Sequence, residues 1–498
     1  MIPLSLAEVA VAVGGRLHDA TGAEMVTGSV EFDSRRLGPG GLFVAVPGER
    51  VDGHSFAAQA IRAGAVGVLA AREVDAPSVI VPPVEFHSSR ALALAGDTDG
   101  AGAAVLAGLA ALARNVVDRL NGLAVVGLTG SSGKTSTKDL IAGLLTRLGP
   151  TVAPPGSFNN ELGHPWTVLR ADERTRHLVL ELSARGPGHI AALCRVAPPR
   201  IGAVLNVGSA HLGEFGSRAE IARTKGELVE ALPANGVAVL NADDPLVAAM
   251  AERTDARVVF VGESANATIR AVDVTTDDQV RPRFRLVTPA GEVNVHLGVH
   301  GEHQVGNALT AAAVAMELGM NLADVADGLA AARPVSGRRM EVTTRSDGVT
   351  VINDAYNANP ESVRAALKAL ATMANSGHRR SWAVLGPMGE LGVDSTARHD
   401  DIGRLAVRLD ISRLVVVGEQ ARPMLQGAHL EGSRGEESVL VPDVDAAIAL
   451  LREQLRPGDA VLVKASNAIG LWRVADALLD KQEKQDKQTA TTTAGGAA

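Results

Sequence analysis

Short apolar runs alternate with amphipathic stretches from about residue 122 to near the end of the chain. Continuous apolar runs of this kind indicate buried strands, and apolar positions that recur every three or four residues indicate helices. The alternation predicts a mostly parallel sheet with helices on both faces. Its first elements are predicted strands at Gly122–Thr129, His177–Ser183, Ile201–Val207 and Gly236–Asn241, and predicted helices at Thr135–Leu148 and Arg218–Leu232.

The pattern changes twice further along the chain. Polar and apolar residues alternate singly over Thr268–Val299, which predicts antiparallel strands, and a helical period returns at Gln304–Leu318. Arg333–Gly337 contains a proline and a glycine and predicts a hinge. Beyond it, a second alternation of strands and helices predicts a Rossmann-like unit. Its strands are predicted at Val349–Asn353, Trp382–Leu385, Leu414–Gly418 and Ala460–Lys464.

The residues before Gly122 predict a smaller α/β unit. Residues 1–15 have the spacing of a short amphipathic helix, and Asp97–Ala104 is rich in Gly and Asp, which predicts a linker before a helix at Val105–Leu120. Apolar runs between Gly- and Pro-containing turns predict strands at Gly41–Val46, Val66–Ala70 and Ser78–Val81.

The predicted fold class is therefore α/β, arranged in three domains. The first is a small α/β domain, the second is built on a mostly parallel sheet, and the third is Rossmann-like. The last residues are rich in Lys, Gln, Thr, Gly and Ala, a composition that cannot build a core and predicts a disordered tail. The predicted ranges are 1–96, 97–333 and 334–484 for the domains, and 485–498 for the tail.

Composition narrows the function classes. The 498 residues carry a formal net charge of -8 without a general basic excess, which argues against nucleic acid and anionic membranes as partners. No basic segment precedes the apolar N-terminus, and the apolar run Val105–Ala113 is too short to span a bilayer, so membrane insertion is not predicted. The single cysteine, Cys194, excludes an internal disulfide and suits a reducing compartment. We expect a cytoplasmic protein, and since nothing requires an oligomer, a monomer.

A glycine-rich turn joins the first strand and helix of the predicted central domain. It reads Gly-Leu-Thr-Gly-Ser-Ser-Gly-Lys-Thr and ends at Thr135. Gly130 and Gly133 allow backbone N–H groups to face phosphates, Lys134 adds a positive charge, and the Thr135 hydroxyl is a ligand for Mg²⁺. A plain glycine-rich turn would not need this combination between a strand and a helix. Leu128 stands where the longer motif has a glycine, so this is a short form of the phosphate-binding P-loop.

Two further residues follow strands that should neighbour the P-loop strand. Glu181 lies at the end of His177–Ser183, and His211 follows Ile201–Val207. Parallel strands present their carboxyl ends at one sheet edge, where ligands bind. Each residue alone is compatible with a solvated strand end or a helix cap, but the shared position favours metal binding. Lys225 lies within a predicted helix, and by pattern alone it is a solvated lysine.

Polar loops also follow three strands of the predicted C-terminal domain. Asn353–Pro360 reads Asn-Asp-Ala-Tyr-Asn-Ala-Asn-Pro, which is more short polar side chains than a turn and a helix cap require. Pro387–Gly392 and Lys464–Ser466 occupy equivalent positions after their strands. Because these loops share one edge of one sheet, they predict a ligand-binding surface.

Taken in order, these segments resemble the Mur ligase family of peptidoglycan synthesis. The resemblance covers most of the chain, from about Asp33 to Trp472, and is strongest to the family member that joins D-alanyl-D-alanine to UDP-N-acetylmuramoyl-tripeptide. Pro387 departs from the family pattern, which has Asp there, so no role is carried over to Pro387–Gly392. The segments that carry the resemblance are Asp33–Arg35, Gly41–Arg50, Asp52–Phe56, Gly130–Lys138, Phe158–Gly163, Ala210–Gly216, Thr224–Glu227, Gly301–Asn307, Pro334–Arg338 and Asn353–Pro360.

The resemblance implies a UDP-binding N-terminal domain, a central ATP-binding domain and a C-terminal domain that completes the site. It implies ATP contacts at Gly130, Ser131, Ser132, Gly133, Lys134, Thr135, Ser136, Asn307, Arg338, Asp354, Asn357 and Asn359. It implies contacts to the UDP-sugar-peptide at Ser34, Arg35, Asn159 and Asn160. It also implies two Mg²⁺ sites, with ligands from Thr135, Glu181, His211 and Lys225 modified by CO₂ to a carbamate. The implied catalytic residues are Lys134, Lys225 and His211.

The family reaction implies that a substrate carboxylate is phosphorylated by ATP and that an amine then displaces phosphate. Two alternatives stay open. A sister ligase that adds another amino acid is disfavoured by Phe158–Gly163 and by the absence of an Asp-Asn-Pro-Arg motif. A nucleotide-binding scaffold without activity is disfavoured by the joint retention of the implied catalytic and metal-binding residues. The third residue of the tripeptide, diaminopimelate or lysine, also stays open.

Overall fold

The computed structural model describes residues 1–48, 51–84, 97, 99–208 and 215–479. Three sheets form the framework of the described chain, in agreement with the predicted α/β class. The predicted magnesium ligand His211 and the predicted disordered tail at 485–498 lie outside the described residues.

A small α/β unit forms the N-terminal part of the chain. Its elements are β1 (Leu4–Ser5), α1 (Leu6–Val13), β2 (Arg16–His18), β3 (Met25–Val26), β4 (Val30–Glu31), β5 (Gly41–Val44), α2 (Ala57–Arg62), β6 (Ala65–Ala70) and β7 (Ser78–Ile80). The main sheet has the order β2-β7-β6-β5-β4 and is parallel except at β2, and β1 pairs antiparallel with β3. Ser5 begins α1 with a capping box to Glu8, which confirms the predicted amphipathic helix.

The central unit contains a nine-stranded sheet. Its strands are β8 (Ala124–Thr129), β9 (Thr151–Val152), β10 (His177–Glu181), β11 (Ile201–Val204), β12 (Val237–Asn241), β13 (Arg257–Gly262), β14 (Ile269–Thr276), β15 (Pro282–Thr288) and β16 (Gly291–His296). Its helices are α3 (Ala101–Arg119), α4 (Lys134–Thr146), α5 (Gly163–Val168), α6 (His189–Val196), α7 (Arg218–Glu230), α8 (Pro245–Ala248), α9 (Gln304–Glu317) and α10 (Leu322–Ala331).

The strand order of this sheet is β16-β15-β14-β13-β12-β11-β8-β10-β9. The strands β9, β10, β8, β11, β12, β13 and β14 are parallel. β15 pairs antiparallel with both β14 and β16, as the alternation of polar and apolar residues over Thr268–Val299 predicted. β10 and β11 are buried along their whole length because helices cover both faces of the sheet. The P-loop strand β8 lies between them, so their carboxyl ends meet at one edge.

The helix α3 corrects the predicted linker. Asp97–Ala104 was predicted to be a linker, but α3 begins at Ala101, where the Asp97 carboxylate accepts hydrogen bonds from the N–H groups of Gly102 and Ala103. Asp97 therefore caps a helix end instead of marking a flexible segment. Among the described helices, α3 alone has the length and apolar content to cross a bilayer, and half of it is buried. Its buried face packs against α1, α5 and α6.

The C-terminal unit contains a six-stranded sheet of order β17-β18-β22-β19-β20-β21. It is parallel except for the β17–β18 pair, as predicted for a Rossmann-like unit. The strands are β17 (Glu341–Thr344), β18 (Thr350–Asn353), β19 (Ser381–Leu385), β20 (Arg413–Val417), β21 (Ser438–Val441) and β22 (Ala460–Lys464). The helices are α11 (Pro360–Ser376), α12 (Ser395–Arg408), α13 (Arg422–Leu430), α14 (Val444–Gln454) and α15 (472–479).

Candidate active site

A cleft of about 630 Å³ lies between the central and C-terminal units. One wall consists of residues that follow β8, β10 and β11, and the other of residues at the ends of β18, β19 and β22. Both walls are thus carboxyl edges of parallel sheets, the position at which α/β folds bind ligands. The predicted site residues that line the cleft are Ser131, Ser132, Gly133, Lys134, Thr135, Ser136, Asn159, Asn160, Glu181, Asn307, Asp354, Asn357 and Asn359.

The P-loop turns sharply into α4 at Gly133. This residue has a φ of +81°, and a Cβ atom at this position would lie 2.6 Å from Oδ1 of Asn307. Both the conformation and the close approach require glycine. The Nζ of Lys134 donates a 2.7 Å hydrogen bond to the carbonyl oxygen of Gly130, so the loop is closed around its own lysine. Burial lowers the pKa of the Lys134 ammonium group, and the nearby Glu181 carboxylate opposes that shift.

Asn206 holds the P-loop from the neighbouring strand. Its Oδ1 accepts hydrogen bonds from the N–H groups of Ser131 and Ser132 at 3.0 and 2.9 Å, and its Nδ2 donates to the Ser132 carbonyl oxygen. Asn206 is not among the predicted site residues. The available signal was a short polar side chain at the carboxyl end of the predicted apolar strand Ile201–Val207.

A buried carboxylate lies beside the P-loop threonine. The Glu181 side chain is almost fully buried, and its Oε2 accepts a 2.9 Å hydrogen bond from the Thr135 hydroxyl. Its Oε1 accepts a 2.7 Å hydrogen bond from Nδ2 of Asn159. Two hard oxygen donors, one charged and one neutral, therefore converge next to Lys134. No group of three or more His, Cys, Asp and Glu side chains in the described ranges could hold a metal ion.

The opposite wall is organised around a buried lysine at the end of β22. The Nζ of Lys464 donates to Oδ2 of Asp354 at 2.6 Å and to the carbonyl oxygen of Asn357 at 2.9 Å. Asn359 caps α11 by accepting a 2.8 Å hydrogen bond from the Ser362 N–H group. The polar loop predicted at Asn353–Pro360 is therefore a rigid part of the cleft.

Three sequence models of one family match successive parts of the chain. The "Mur ligase family, catalytic domain" matches residues 28–94, the "Mur ligase middle domain" matches 128–315, and the "Mur ligase, glutamate ligase domain" matches 338–467. The chain is also 58% identical to the UDP-N-acetylmuramoyl-tripeptide–D-alanyl-D-alanine ligase of Mycobacterium tuberculosis, over 96% of this chain and 98% of that one. The chain belongs to the Mur ligase family.

Other Mur ligases agree in sequence and structure. The UDP-N-acetylmuramoyl-tripeptide–D-alanyl-D-alanine ligase of Escherichia coli is 34% identical over 96% of this chain and 99% of that one. The crystal structure of MurF from Acinetobacter baumannii has a TM-score of 0.83 at 29% identity, with 96% and 99% of the two chains covered. MurF ligase from Thermotoga maritima, solved in complex with ADP, has a TM-score of 0.76 at 29% identity and covers 92% and 99%.

Lys225 corrects the interpretation drawn from pattern alone. It lies on α7 and is only 5% exposed, whereas its helical context favoured a solvated lysine. The reason is tertiary, since α7 packs over β11 and β8 and Lys225 lies on the buried side of this helix. Burial lowers the pKa of the Lys225 amine well below its usual range, and the charge of Lys134 acts in the same direction. The Mur ligase role implied for this residue requires an uncharged amine, and its burial fits that requirement.

Arg338 is not among the residues that line the cleft, although the resemblance implied an ATP contact. Its backbone has a φ of +63°, and its guanidinium group stacks on the ring of Trp472 at 3.9 Å. Arg339 lines the cleft instead and lies over the ring of Tyr356 at 4.1 Å. The Tyr356 hydroxyl in turn contacts Ser157 of the central unit. The sequence placed an arginine here but did not determine which of the two neighbours lines the cleft, and the ATP contact implied for Arg338 stays a prediction.

The predicted substrate residues fall in two places. Asn159 and Asn160 line the cleft, whereas Ser34 and Arg35 form a short 3₁₀ turn in the N-terminal unit. An aromatic cluster joins these places, because the ring of Phe158 lies 6.2 Å from Phe32 and 4.7 Å from Trp166. Arg35 pairs with Asp33 and, by that hydrogen bond, lowers the pKa of Asp33 to about 2. The substrate contacts of Ser34 and Arg35 stay predictions.

Proposed function

We propose that this Mur ligase joins a carboxylate of UDP-N-acetylmuramoyl-tripeptide to the amine of D-alanyl-D-alanine, with conversion of ATP to ADP and phosphate. One observation carries the proposal. A single cleft is lined by both the P-loop and the predicted substrate residues Asn159 and Asn160, in a chain that aligns from end to end with ligases of that name. ATP and the UDP-linked substrate can therefore meet in one place.

The chemistry explains why ATP is needed. A carboxylate cannot lose an oxide ion, so its oxygen first attacks the γ-phosphorus of ATP, which breaks the bond to the β-phosphate and releases ADP. The amine then adds to the resulting acyl phosphate and gives a tetrahedral intermediate, which expels inorganic phosphate and loses a proton. Every step moves negative charge among oxygens, so a protein accelerates the reaction mainly by holding the reactants and stabilising anions.

The residues of the P-loop supply the anion-stabilising groups. Lys134 is a point charge for the phosphates, and Asn206, which accepts hydrogen bonds from the N–H groups of Ser131 and Ser132, fixes the turn that precedes it. Across the cleft, Lys464 fixes the loop that carries Asn357. We propose that this loop and Asn307 contact the nucleotide, in the roles that the family resemblance implied.

The donors at the P-loop fit a magnesium ion. The Thr135 hydroxyl and the buried Glu181 carboxylate lie within hydrogen-bond distance of each other. Mg²⁺ commonly takes only one or two ligands from a protein, because phosphates and water complete its coordination shell. Bound there, the ion would neutralise charge on the phosphates. We further propose that Lys225, as a carbamate, and His211 contribute to a second magnesium site. The low pKa of the Lys225 amine supports the first part, since only an uncharged amine reacts with CO₂.

We also propose that the enzyme acts in the cytoplasm and as a monomer. A buried, unpaired Cys194 thiol suits a reducing compartment. The cleft walls come from two units of one chain, so the geometry of the described site does not depend on a second copy.

A substrate panel tests the proposed function. We expect ADP release only when UDP-N-acetylmuramoyl-tripeptide and D-alanyl-D-alanine are both present, and we expect Lys134→Met to abolish it because the phosphate-binding charge is lost. Release that a single free amino acid supports equally well would indicate a sister ligase. The absence of release with every combination, despite ATP binding, would indicate a scaffold protein.

A further inference from the structure

An ion pair connects the two walls of the cleft. Nη2 of Arg185, four residues after the end of β10, lies 3.2 Å from Oε1 of Glu390, in the loop after β19. Both side chains line the cleft and are about one-quarter and one-third exposed, at 25% and 37%. Nδ1 of the neighbouring His189 accepts a 3.4 Å hydrogen bond from the backbone N–H group of Arg185. The guanidinium group of Arg185 therefore lies at the cleft surface and is paired there with the carboxylate of Glu390.

The loop that carries Glu390 presents this carboxylate from a fixed backbone. Glu390 has a φ of +63°, a conformation that residues with side chains rarely adopt. The loop is attached upstream, where the Met388 N–H group donates to Nε2 of His399 at 2.9 Å and the Pro387 carbonyl oxygen accepts from the N–H group of Ser466 at 3.0 Å. The rest of the fold therefore holds the unusual conformation in place.

The Glu390 carboxylate also acts on the P-loop lysine. Burial lowers the pKa of Lys134, Glu181 raises it, Arg339 lowers it and Glu390 raises it. Glu390 thus pairs with Arg185 and contributes negative charge to the cleft that Lys134 also lines.

We infer that Arg185 binds a carboxylate of a peptide substrate, which competes with Glu390 for the same guanidinium group. The inference rests on the proposed function, in which a substrate carboxylate must approach the γ-phosphate and therefore Lys134. A guanidinium group is well suited to this ligand because its N–H groups match the two oxygens of a carboxylate. The carboxylate comes from the UDP-linked tripeptide or from the C-terminus of the dipeptide, and both would displace Glu390.

Steady-state kinetics of Arg185 variants test the binding role. We expect Arg185→Ala to raise KM for one peptide substrate about tenfold, the size of a lost charge-assisted hydrogen bond, with KM for ATP unchanged. Arg185→Lys keeps the charge and should lose less, and it provides a second measurement if Arg185→Ala does not fold. Arg174→Ala removes an exposed arginine that also pairs with a carboxylate, Asp172, and should leave all three KM values unchanged.

The substrate affected identifies the source of the carboxylate. A raised KM for the tripeptide assigns it to that substrate. A raised KM for the dipeptide assigns it to the C-terminus of the dipeptide. In that case the KM of the wild-type enzyme for D-alanyl-D-alaninamide, which lacks this carboxylate, should be about as high as the KM of Arg185→Ala for the dipeptide. Arg185→Ala should not raise the KM for D-alanyl-D-alaninamide any further. Glu390→Gln removes the competing charge and should lower KM for the same substrate.

Three results would overturn the inference: unchanged KM values for both peptides in Arg185→Ala, an equal rise in KM for ATP, or a raised peptide KM in Glu390→Gln. An inactive wild-type enzyme would instead refute the proposed function, so the two failures can be told apart.

Discussion

Asp139 Oδ2 accepts a 3.1 Å hydrogen bond from the backbone N–H group of Ser336, although 197 residues separate them. Asp139 lies on α4, just behind the P-loop, and Ser336 belongs to the predicted hinge Arg333–Gly337. The neighbouring Lys138 is buried and donates to the Ser336 hydroxyl at 3.4 Å and to the Pro154 carbonyl oxygen at 2.8 Å. The segment that leads into the C-terminal unit is thus attached to the helix that leaves the P-loop.

Loss of this attachment should reduce stability. Asp139→Ala removes the acceptor of Ser336 and the carboxylate that pairs with buried Lys138, so we expect a loss of about 1–3 kcal/mol, measured as a lower thermal midpoint. Asp139→Asn keeps an acceptor and should lose less. Asp118→Ala breaks a half-exposed pair with Arg114 and should change little. Equal losses in Asp139→Ala and Asp118→Ala would contradict this account.

Glu181→Gln tests the role of the negative charge of Glu181, because the substitution removes the charge and nearly preserves the shape of the side chain. The amide can still accept the Thr135 hydrogen bond, but it does not supply the anionic oxygen that a magnesium ion prefers. We expect kcat to fall about 100-fold and half-maximal ADP release to require more Mg²⁺. Glu173→Gln, on an exposed turn, is the matched control. An unchanged magnesium dependence in Glu181→Gln would remove Glu181 from the metal site.

Lys225→Ala should lose about 100-fold or more in kcat if the carbamate is the working form. A small carboxylic acid added to the assay should restore part of the activity, because it can supply the missing oxygen ligand in the space left by the side chain. Lys368→Ala removes an exposed helix lysine and should remain fully active. Full activity of Lys225→Ala, or a complete lack of rescue across several short acids, would count against the carbamate.

His164 should make stability depend on pH. Burial lowers its pKa from the ordinary histidine value of 6.5 to about 4, against a weaker opposite effect of the Leu193 and Glu181 backbones. Between these values the unfolded chain binds more protons, so stability falls as pH falls from 6.5 towards 4. The expected loss between pH 7 and pH 5 is about 2 kcal/mol.

A matched variant isolates the contribution of His164. His164→Met fills a similar volume without a titratable group, so its thermal midpoint should fall less between pH 7 and pH 5 than that of wild type. His378→Gln replaces an exposed histidine and should follow wild type. Identical pH profiles for wild type and His164→Met would refute the assignment.

Periodicity and motif spacing predicted the central strands of the three large sheets and most of the cleft, but not strands such as β9, β13 and β21. β22 was predicted residue for residue at Ala460–Lys464, and α4 and α9 begin within one residue of their predicted starts. The buried face of a strand or helix consists of apolar residues of that same element, so the spacing of apolar residues in the sequence predicts it. Parallel topology then dictates that strand ends meet, which is why Glu181 was placed beside the P-loop before its hydrogen bond to Thr135 was known.

Which side chains complete the site depended on contacts between distant segments. Asn206 contacts the P-loop because β11 lies beside β8, and Lys225 is buried because its own helix α7 packs over β11 and β8. Arg339 lines the cleft, whereas Arg338 stacks on Trp472. The P-loop and the position of Glu181 at a strand end were visible in the local sequence, but the pairing of Arg185 with Glu390 was not. A local pattern shows which residues of a segment are buried. Strand register, helix packing and backbone dihedral angles determine which distant residues each side chain contacts.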